Sequence, residues 1–329
     1  MRKYLIVYPN RDYGKLMWED LKKSNNVEFI DTPLKISSNR ILQTLFKIHF
    51  SFKLNNIIEL PLKGVWNQKY SLMNYKFEDN NSYVIIFTDP ALCNYRKDLL
   101  SKIKKKANIK FVLVLINSFY RMKKVIQPML ECFDKIYTYD KEEADKFGFK
   151  YYPTVYSVIK IETKNIVERK RCFFVGVAKD RLSKLLAVYD KLEERGWKPE
   201  FYISGVRKKQ QRQREGIIYN KWLPYTLALE KAINSECIVE IMDKNNAGVT
   251  LRTLEAICYN KKLITNNKKI LQSPFYQSNY ICLIDQILNI PQTFLNDEEV
   301  DYKYDGRYSP VFFVKILEEE FNKEKFNGV

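Results

Sequence analysis

The stretch DKNNAGVTLRTLEAICYNKKLITNN, Asp243 to Asn267, carries the pattern that decides the fold. An apolar, strand-like run, Glu236 to Met242, precedes it, and a second short one, Leu263 to Thr265, closes it. Between them Asn246 suits a helix cap and Gly248 a tight backbone turn. Val249, Leu251, Leu254, Ile257 and Cys258 then recur at spacings that bury one helical face. Asn260 ends the helix, with Lys261 and Lys262 at the negative end of its dipole. The pattern is strand, loop, helix, strand, the repeating unit of a parallel sheet.

A helix start of this kind gathers unpaired backbone N–H groups and about half a positive charge, a seat for a phosphate. Arg252, Glu255 and Tyr259 follow at spacings of three and four, forming one polar stripe beside it. Such a cation and carboxylate can hold a diphosphate and a ribose. An ordinary amphipathic helix with an internal Arg252–Glu255 pair explains the same periodicity.

The segment AGVTLRTLEA resembles the donor-binding helix of GT-B glycosyltransferases. By that resemblance Gly248, Val249 and Thr250 lie at the diphosphate and Glu255 at the nucleotide ribose. Many retaining members carry a second glutamate eight positions earlier; here that position is Ala247. The segments CFDKIYTYDKEEADKFGFKYYP and FFVGVAKDR are similar to segments of bacterial transferases encoded in capsule, exopolysaccharide and lipopolysaccharide clusters. The resemblance implies two Rossmann-like, doubly wound α/β domains facing across a cleft. Residues 1–158 would bring the acceptor and 159–308 bind the donor, with a last helix in 309–329 that in the family returns to the first domain.

At 329 residues the chain exceeds what one core usually supports, so two domains are expected. Its formal charge of +17 attracts anions: nucleotides, nucleic acid or an acidic membrane face. Six scattered cysteines, several inside apolar runs, read as buried thiols in a reducing compartment. The N-terminus reads as a first strand rather than a signal peptide, and no stretch approaches the ~20 apolar residues of a spanning helix. A cytoplasmic protein, soluble or peripheral at the inner face of the cell membrane, is expected.

From the start of the chain, Tyr4–Tyr8, Val27–Ile30, Tyr83–Phe87, Lys110–Ile116 and Lys135–Tyr139 read as strands, with Lys110–Ile116 central. Helices are expected from the loop Asn10–Gly14 through Lys23, over Asn39–Lys53, and after Asp89 through Leu100. Asp12 and Asp89 lie at strand ends, where a carboxylate acts as a general base or simply caps a helix, and Asp89 is the favoured base because it closes a clear strand and Pro90 stiffens its turn. Asn39–Lys53 combines Ile41, Leu42, Leu45, Phe46, Ile48 and Phe52 with Arg40, Lys47 and Lys53. That pattern fits a face resting on an anionic bilayer and equally a core helix with a solvated charged side. His49, the single histidine, lies within it and is the third candidate base.

The later half alternates strands at Cys172–Val177, Phe201–Ser204, Ile217–Tyr219, Glu236–Met242, Leu263–Thr265 and Ile281–Ile284 with helices after Arg181 and Pro224. Lys179 and Arg181 follow the first of these strands and can clamp a diphosphate. Tyr219, with Trp222 and Leu223 beyond it, can frame a base. VRKKQQRQRE, Val206 to Glu215, reads as a mobile solvated loop.

The resulting expectation is a nucleotide-sugar-dependent, metal-independent glycosyltransferase. Its co-substrate is the nucleotide-sugar, its acceptor a saccharide, lipid-linked by the resemblance, and it needs no other cofactor. Polyol-phosphate transfer on a similar fold commonly relies on histidines, of which there is one. A basic nucleic-acid-binding protein would explain the charge, but no zinc knuckle or stacking motif accompanies it, so no nucleic acid is expected.

Overall fold

Apolar runs such as YVIIF at residues 83–87, FVLVL at 111–115 and CIV at 237–239 leave no face for water, as strands covered on both sides require. In the computed structural model each becomes an interior strand of a parallel sheet. The structure describes residues 1–9, 12–32, 37–55, 57–58, 60–161, 168–242, 248–285, 288–296 and 298–326. The chain divides into two compact units, Met1–Ser157 and Val158–Val329.

The first unit contains β1 (Arg2–Pro9), β2 (Val27–Thr32), β3 (Ser82–Thr88), β4 (Asn108–Leu115), β5 (Lys135–Thr138) and β6 (Lys150–Tyr151). They form one all-parallel sheet in the order β2-β1-β3-β4-β5-β6, with β4 inside it. Its helices are α1 (Asp12–Leu16), α2 (Arg40–His49), α3 (Phe52–Asn55), α4 (Asp89–Leu92), α5 (Lys97–Lys104), α6 (Phe119–Ile126) and α7 (Lys141–Phe147). Leu5, Val7, Ile85, Phe87, Phe111 and Leu113 centre its core. Asp140 caps α7 and Gly148, at φ +69°, ends it.

Three expected helices are interrupted. The one after Asp12 becomes α1 and a 3₁₀ turn at Glu19–Lys23. The one over Asn39–Lys53 breaks after α2, where Asn55 Nδ2 donates to the His49 and Ser51 carbonyls at 2.9 and 2.8 Å, satisfying the helix end. The one after Asp89 splits into α4 and α5, and the Tyr70 hydroxyl holds the intervening Asn94 carbonyl. α6 and the two-residue β6 were not legible in the sequence.

The second unit contains β7 (Glu168–Val177), β8 (Lys198–Ser204), β9 (Ile217–Tyr219), β10 (Ser235–Glu240), β11 (Lys262–Thr265) and β12 (Ile281–Leu283), in the order β12-β11-β10-β7-β8-β9, all parallel. Helices α8 (Leu182–Glu194), α9 (Tyr225–Asn234), α10 (Leu251–Cys258) and α11 (Pro310–Phe326) accompany it. Phe174, Leu185, Val188, Phe201, Val239 and Ile264 lie in its core. Both units are doubly wound α/β folds. At the division, Ser157 Oγ donates to the Met17 carbonyl and accepts from Asp20 N, while the Ile159 backbone exchanges two hydrogen bonds with the Tyr259 hydroxyl.

Candidate functional site

In a doubly wound sheet a ligand fits beyond the carboxyl ends of the strands, where the strand order reverses. In the second unit that point lies between β7 and β10. Arg181 spans it. Its Nε and Nη2 donate to the Val177 carbonyl at 3.2 and 3.0 Å, and its Nη1 donates to the carbonyl of Ile241, just past β10. The guanidinium lies 5.6 Å over the Phe174 ring. A Cβ on Gly176 would meet that ring at 3.0 Å and Arg181 Nη2 at 3.1 Å, so the glycine makes room for the arrangement. Lys179 sits solvent-exposed in a left-handed turn at φ +46°.

Next to this point β10 ends in Glu240, which is buried. A buried carboxylate requires donors, and three threonines supply them. Thr253 and Thr265 hydroxyls donate at 2.9 and 2.5 Å, and Thr250 donates as well. Thr250 is the N-cap of α10, its oxygen accepting from Arg252 N at 3.1 Å. The helix therefore begins at Leu251, after Val249, and its cap is Thr250; Asn246 and the rest of 243–247 lie outside the described residues. Gly248 is buried, and its carbonyl accepts from Asn267 Nδ2 at 3.1 Å. Glu240 was missed in the sequence, although a carboxylate ending an apolar strand signals a buried partner set.

One turn along α10, Glu255 is fully buried, accepting from the Tyr225 hydroxyl at 3.0 Å and pairing with Arg252. Burial raises its pKa, against the lowering effect of the Arg252 charge. Tyr259, the third member of the expected stripe, is committed to Ile159. Lys261 and Lys262 follow the end of α10. Both are buried: desolvation lowers Lys261 to about 8, and Lys262 opens β11 with its ammonium on the Asn296 carbonyl.

Tyr219 is half-buried at the end of edge strand β9. Its hydroxyl donates to the Arg212 carbonyl at 3.1 Å and accepts from Arg212 N at 3.2 Å, clipping the basic loop. Asn220 holds Val206 through two further bonds of 3.0 and 2.7 Å. The 206–215 loop is thus tied to β9 rather than merely solvated. Trp222 is 75% exposed.

In the first unit Asp89 follows β3 directly and is fully buried. Its oxygens accept from Ile116 N at 2.7 Å and Asn117 Nδ2 at 2.8 Å, joining the β3 turn to the end of β4. Burial, only partly opposed by these bonds, raises its pKa to about 6. His49 Nδ1 accepts from Trp66 Nε1 at 2.7 Å. Asp12 is the first residue of α1; its side chain lies outside what the structure describes. Near the carboxyl edge of the same sheet, buried Glu143 accepts from Phe119 N at 2.9 Å and Ser118 Oγ at 2.6 Å, at the start of α6. Among the described residues no group of three or more His, Cys, Asp or Glu is placed to hold a metal ion.

No protein-family profile and no curated protein sequence matches this chain. Its fold is similar to that of UDP-N-acetylglucosamine 2-epimerase from Rickettsia bellii, at a TM-score of 0.53 and 13% identity over 99% of this chain and 97% of that one. The glycosyltransferase SnogD from Streptomyces nogalater aligns at a TM-score of 0.40 and 10% identity, over 83% of this chain and 85% of that one. The Gap123 glycosylation-associated complex from Streptococcus agalactiae aligns at 0.44 and 14%, over 69% of this chain and 50% of that one. The likeness to the epimerase covers both units and shows the two-domain α/β fold.

Proposed function

We propose that the chain is a glycosyltransferase whose second unit binds a nucleotide-sugar and whose first unit brings a saccharide acceptor, lipid-linked in surface polysaccharide assembly. The observation that carries this reading is the start of α10. It lies at the carboxyl edge of the sheet beside the strand-order reversal, capped by the Thr250 hydroxyl, where the N–H groups of a helix start can take a diphosphate. Arg252, Glu255 and Tyr225 stand one turn away for the nucleoside. Lys179 would approach the diphosphate from the loop after β7, while Arg181 positions that loop through its carbonyl contacts. No metal or other cofactor is part of the proposal.

For the base, Asp89 has a pKa near neutrality, but its oxygens are engaged and closed to solvent. We assign it the positioning of the β4–α6 loop, and Asp12, the first residue of α1, the proton. His49 is committed through Nδ1 to Trp66. A second reading, epimerisation or hydrolysis of the nucleotide-sugar without an acceptor, is favoured by the epimerase likeness over nearly the whole chain.

The test is a calorimetric and turnover screen of UDP, GDP, TDP and CMP sugars with and without saccharide acceptors. Acceptor-dependent release of the nucleotide supports transfer; acceptor-independent conversion supports the second reading. Glu255→Gln preserves the side chain's shape and should weaken nucleotide binding by roughly 1.5–3 kcal/mol, one charge-assisted hydrogen bond. Unchanged affinity would remove Glu255 from the site.

A further inference from the structure

Between Val206 and Trp222 the sequence carries six cations, Arg207, Lys208, Lys209, Arg212, Arg214 and Lys221, against one carboxylate, Glu215. Arg214 Nε meets Asp190 at 3.3 Å; among the described residues the other five form no ion pair, and all five are exposed. On a freely moving loop such charges spread apart in water at little cost. Here the backbone is held. The chain leaves β8 through Gly205, at φ +76°, where a Cβ would meet Val177 Cγ1 at 3.0 Å. Val206 is buried, its N–H and carbonyl both bonded to the Asn220 side chain, and the Gln211 amide donates to the same carbonyl at 3.1 Å. Lys208–Gln210 form a 3₁₀ turn, and the Tyr219 hydroxyl binds both backbone groups of Arg212. The cations are therefore gathered at the carboxyl end of edge strand β9, with Lys221 next to the Asn220 that grips Val206. Fixing like charges without a counter-charge is unfavourable in the free protein, and an anionic partner removes the penalty.

Trp222 stands at the same corner. The other three tryptophans, Trp18, Trp66 and Trp197, are 0%, 8% and 4% exposed, whereas Trp222 is 75% exposed. An indole left in water is unfavourable, and its flat apolar face suits the apolar face of a sugar ring. Cations for acid groups and one aromatic platform for a ring together describe an acidic glycan. A single-stranded nucleic acid calls for successive platforms, one for each base, and no second aromatic in residues 206–225 is exposed.

We propose that this corner of the second unit binds an anionic glycan, its cations meeting the acid groups and Trp222 a sugar ring. The proposal rests on the acceptor being a saccharide and adds that this saccharide is acidic and is also held by the second unit. Trp222 supplies the reporter, since acrylamide quenches exposed indoles and spares buried ones. Quenching of the full chain is titrated with oligogalacturonate, with neutral dextran of similar length and with oligothymidylate. Oligogalacturonate should protect the fluorescence, with an affinity about tenfold or more above that of dextran and falling as salt rises. Lys208→Gln/Lys209→Gln should lower that affinity about three- to tenfold, the worth of two exposed ion pairs. Trp222→Ala, followed by calorimetry, should lower it by about the same factor. Equal affinity for dextran, no protection, or variants that bind like the parent overturn the proposal. So does tighter binding of oligothymidylate than of oligogalacturonate at the same salt, which would make the corner a nucleic-acid site. Nucleotide-sugar turnover is assayed on the same samples. Glycan binding without turnover tells against the transferase reading alone, and turnover without glycan binding against this proposal alone.

Discussion

In the first unit Glu143 projects from α7 onto the opening N–H groups of α6, whereas in the second Glu240 ends β10 and reaches α10 only through threonine hydroxyls. A carboxylate laid on a helix start neutralises the positive end of its dipole; a hydroxyl caps the same N–H groups and leaves the charge in place. The α6 start is therefore matched by a carboxylate on its N–H groups directly, and the α10 start by Glu240 through the Thr250 and Thr253 hydroxyls. The strand orders differ as well: the first sheet reverses after two strands and the second after three. Two doubly wound scaffolds thus hold their helix starts differently, one by a carboxylate directly and one through threonine hydroxyls.

The largest effect should come from the glutamates themselves. Glu240→Ala strands three hydroxyls beneath α10, and Glu143→Ala strands two backbone N–H groups at α6 and the Ser118 and Thr138 hydroxyls. Each should cost about 3–5 kcal/mol in urea unfolding. With the donor site proposed for the second unit, only Glu240→Ala should also abolish nucleotide binding. Equal losses of nucleotide binding in both variants would erase the distinction drawn between the two edges.

Asp89 gives the first unit a pH signature. Its pKa rises from 3.8 to about 6 on folding, so the native state binds this proton more tightly than the unfolded chain. The stabilisation is complete below pH 4 and is lost as pH rises through 6, a difference on the order of 2–3 kcal/mol. Asp89→Asn should flatten that part of the stability profile, read by urea titrations between pH 4 and 7.5. If the parent's profile is already flat there, the buried carboxylate is not being charged at a cost.

Smaller again is the contrast between two neighbours in the second unit. Arg181→Ala leaves the Val177 and Ile241 carbonyls without their donor and should cost about 1–3 kcal/mol, while exposed Lys179→Ala should stay within about 0.5 kcal/mol. Lys179→Ala should instead lower turnover at an unchanged melting temperature. A melting loss for Lys179→Ala as large as that of Arg181→Ala would mean both residues only build the loop.

Much of the sheet architecture was legible because parallel strands, buried on both faces, write themselves as continuous apolar runs; Ile217–Tyr219 matches its strand end for end. The site was legible in part. Periodicity placed Arg252 three residues before Glu255, and the pair forms. It could not show that Glu240, thirteen residues before Thr253, is what holds the helix down, since that contact depends on a strand end and two helix turns meeting in space. The same limit applies to α2, whose apolar stripe is identical whether it faces a core or the outside. Arg181 read as a ligand clamp because a cation after a strand looks the same in sequence whether its donors go to phosphate or to carbonyl oxygen.

That bridge of one side chain between the last carbonyls of two strands also sets a dimension. The guanidinium is flat and rigid, with donors on separate nitrogens, and it grips both rims at once. The gap between those rims is then gauged by the width of the group itself rather than by the pliancy of the loops above. A lysine, with a single nitrogen on a flexible stem, could hold one rim or the other, and the mouth of the crevice would acquire a tolerance it does not now have.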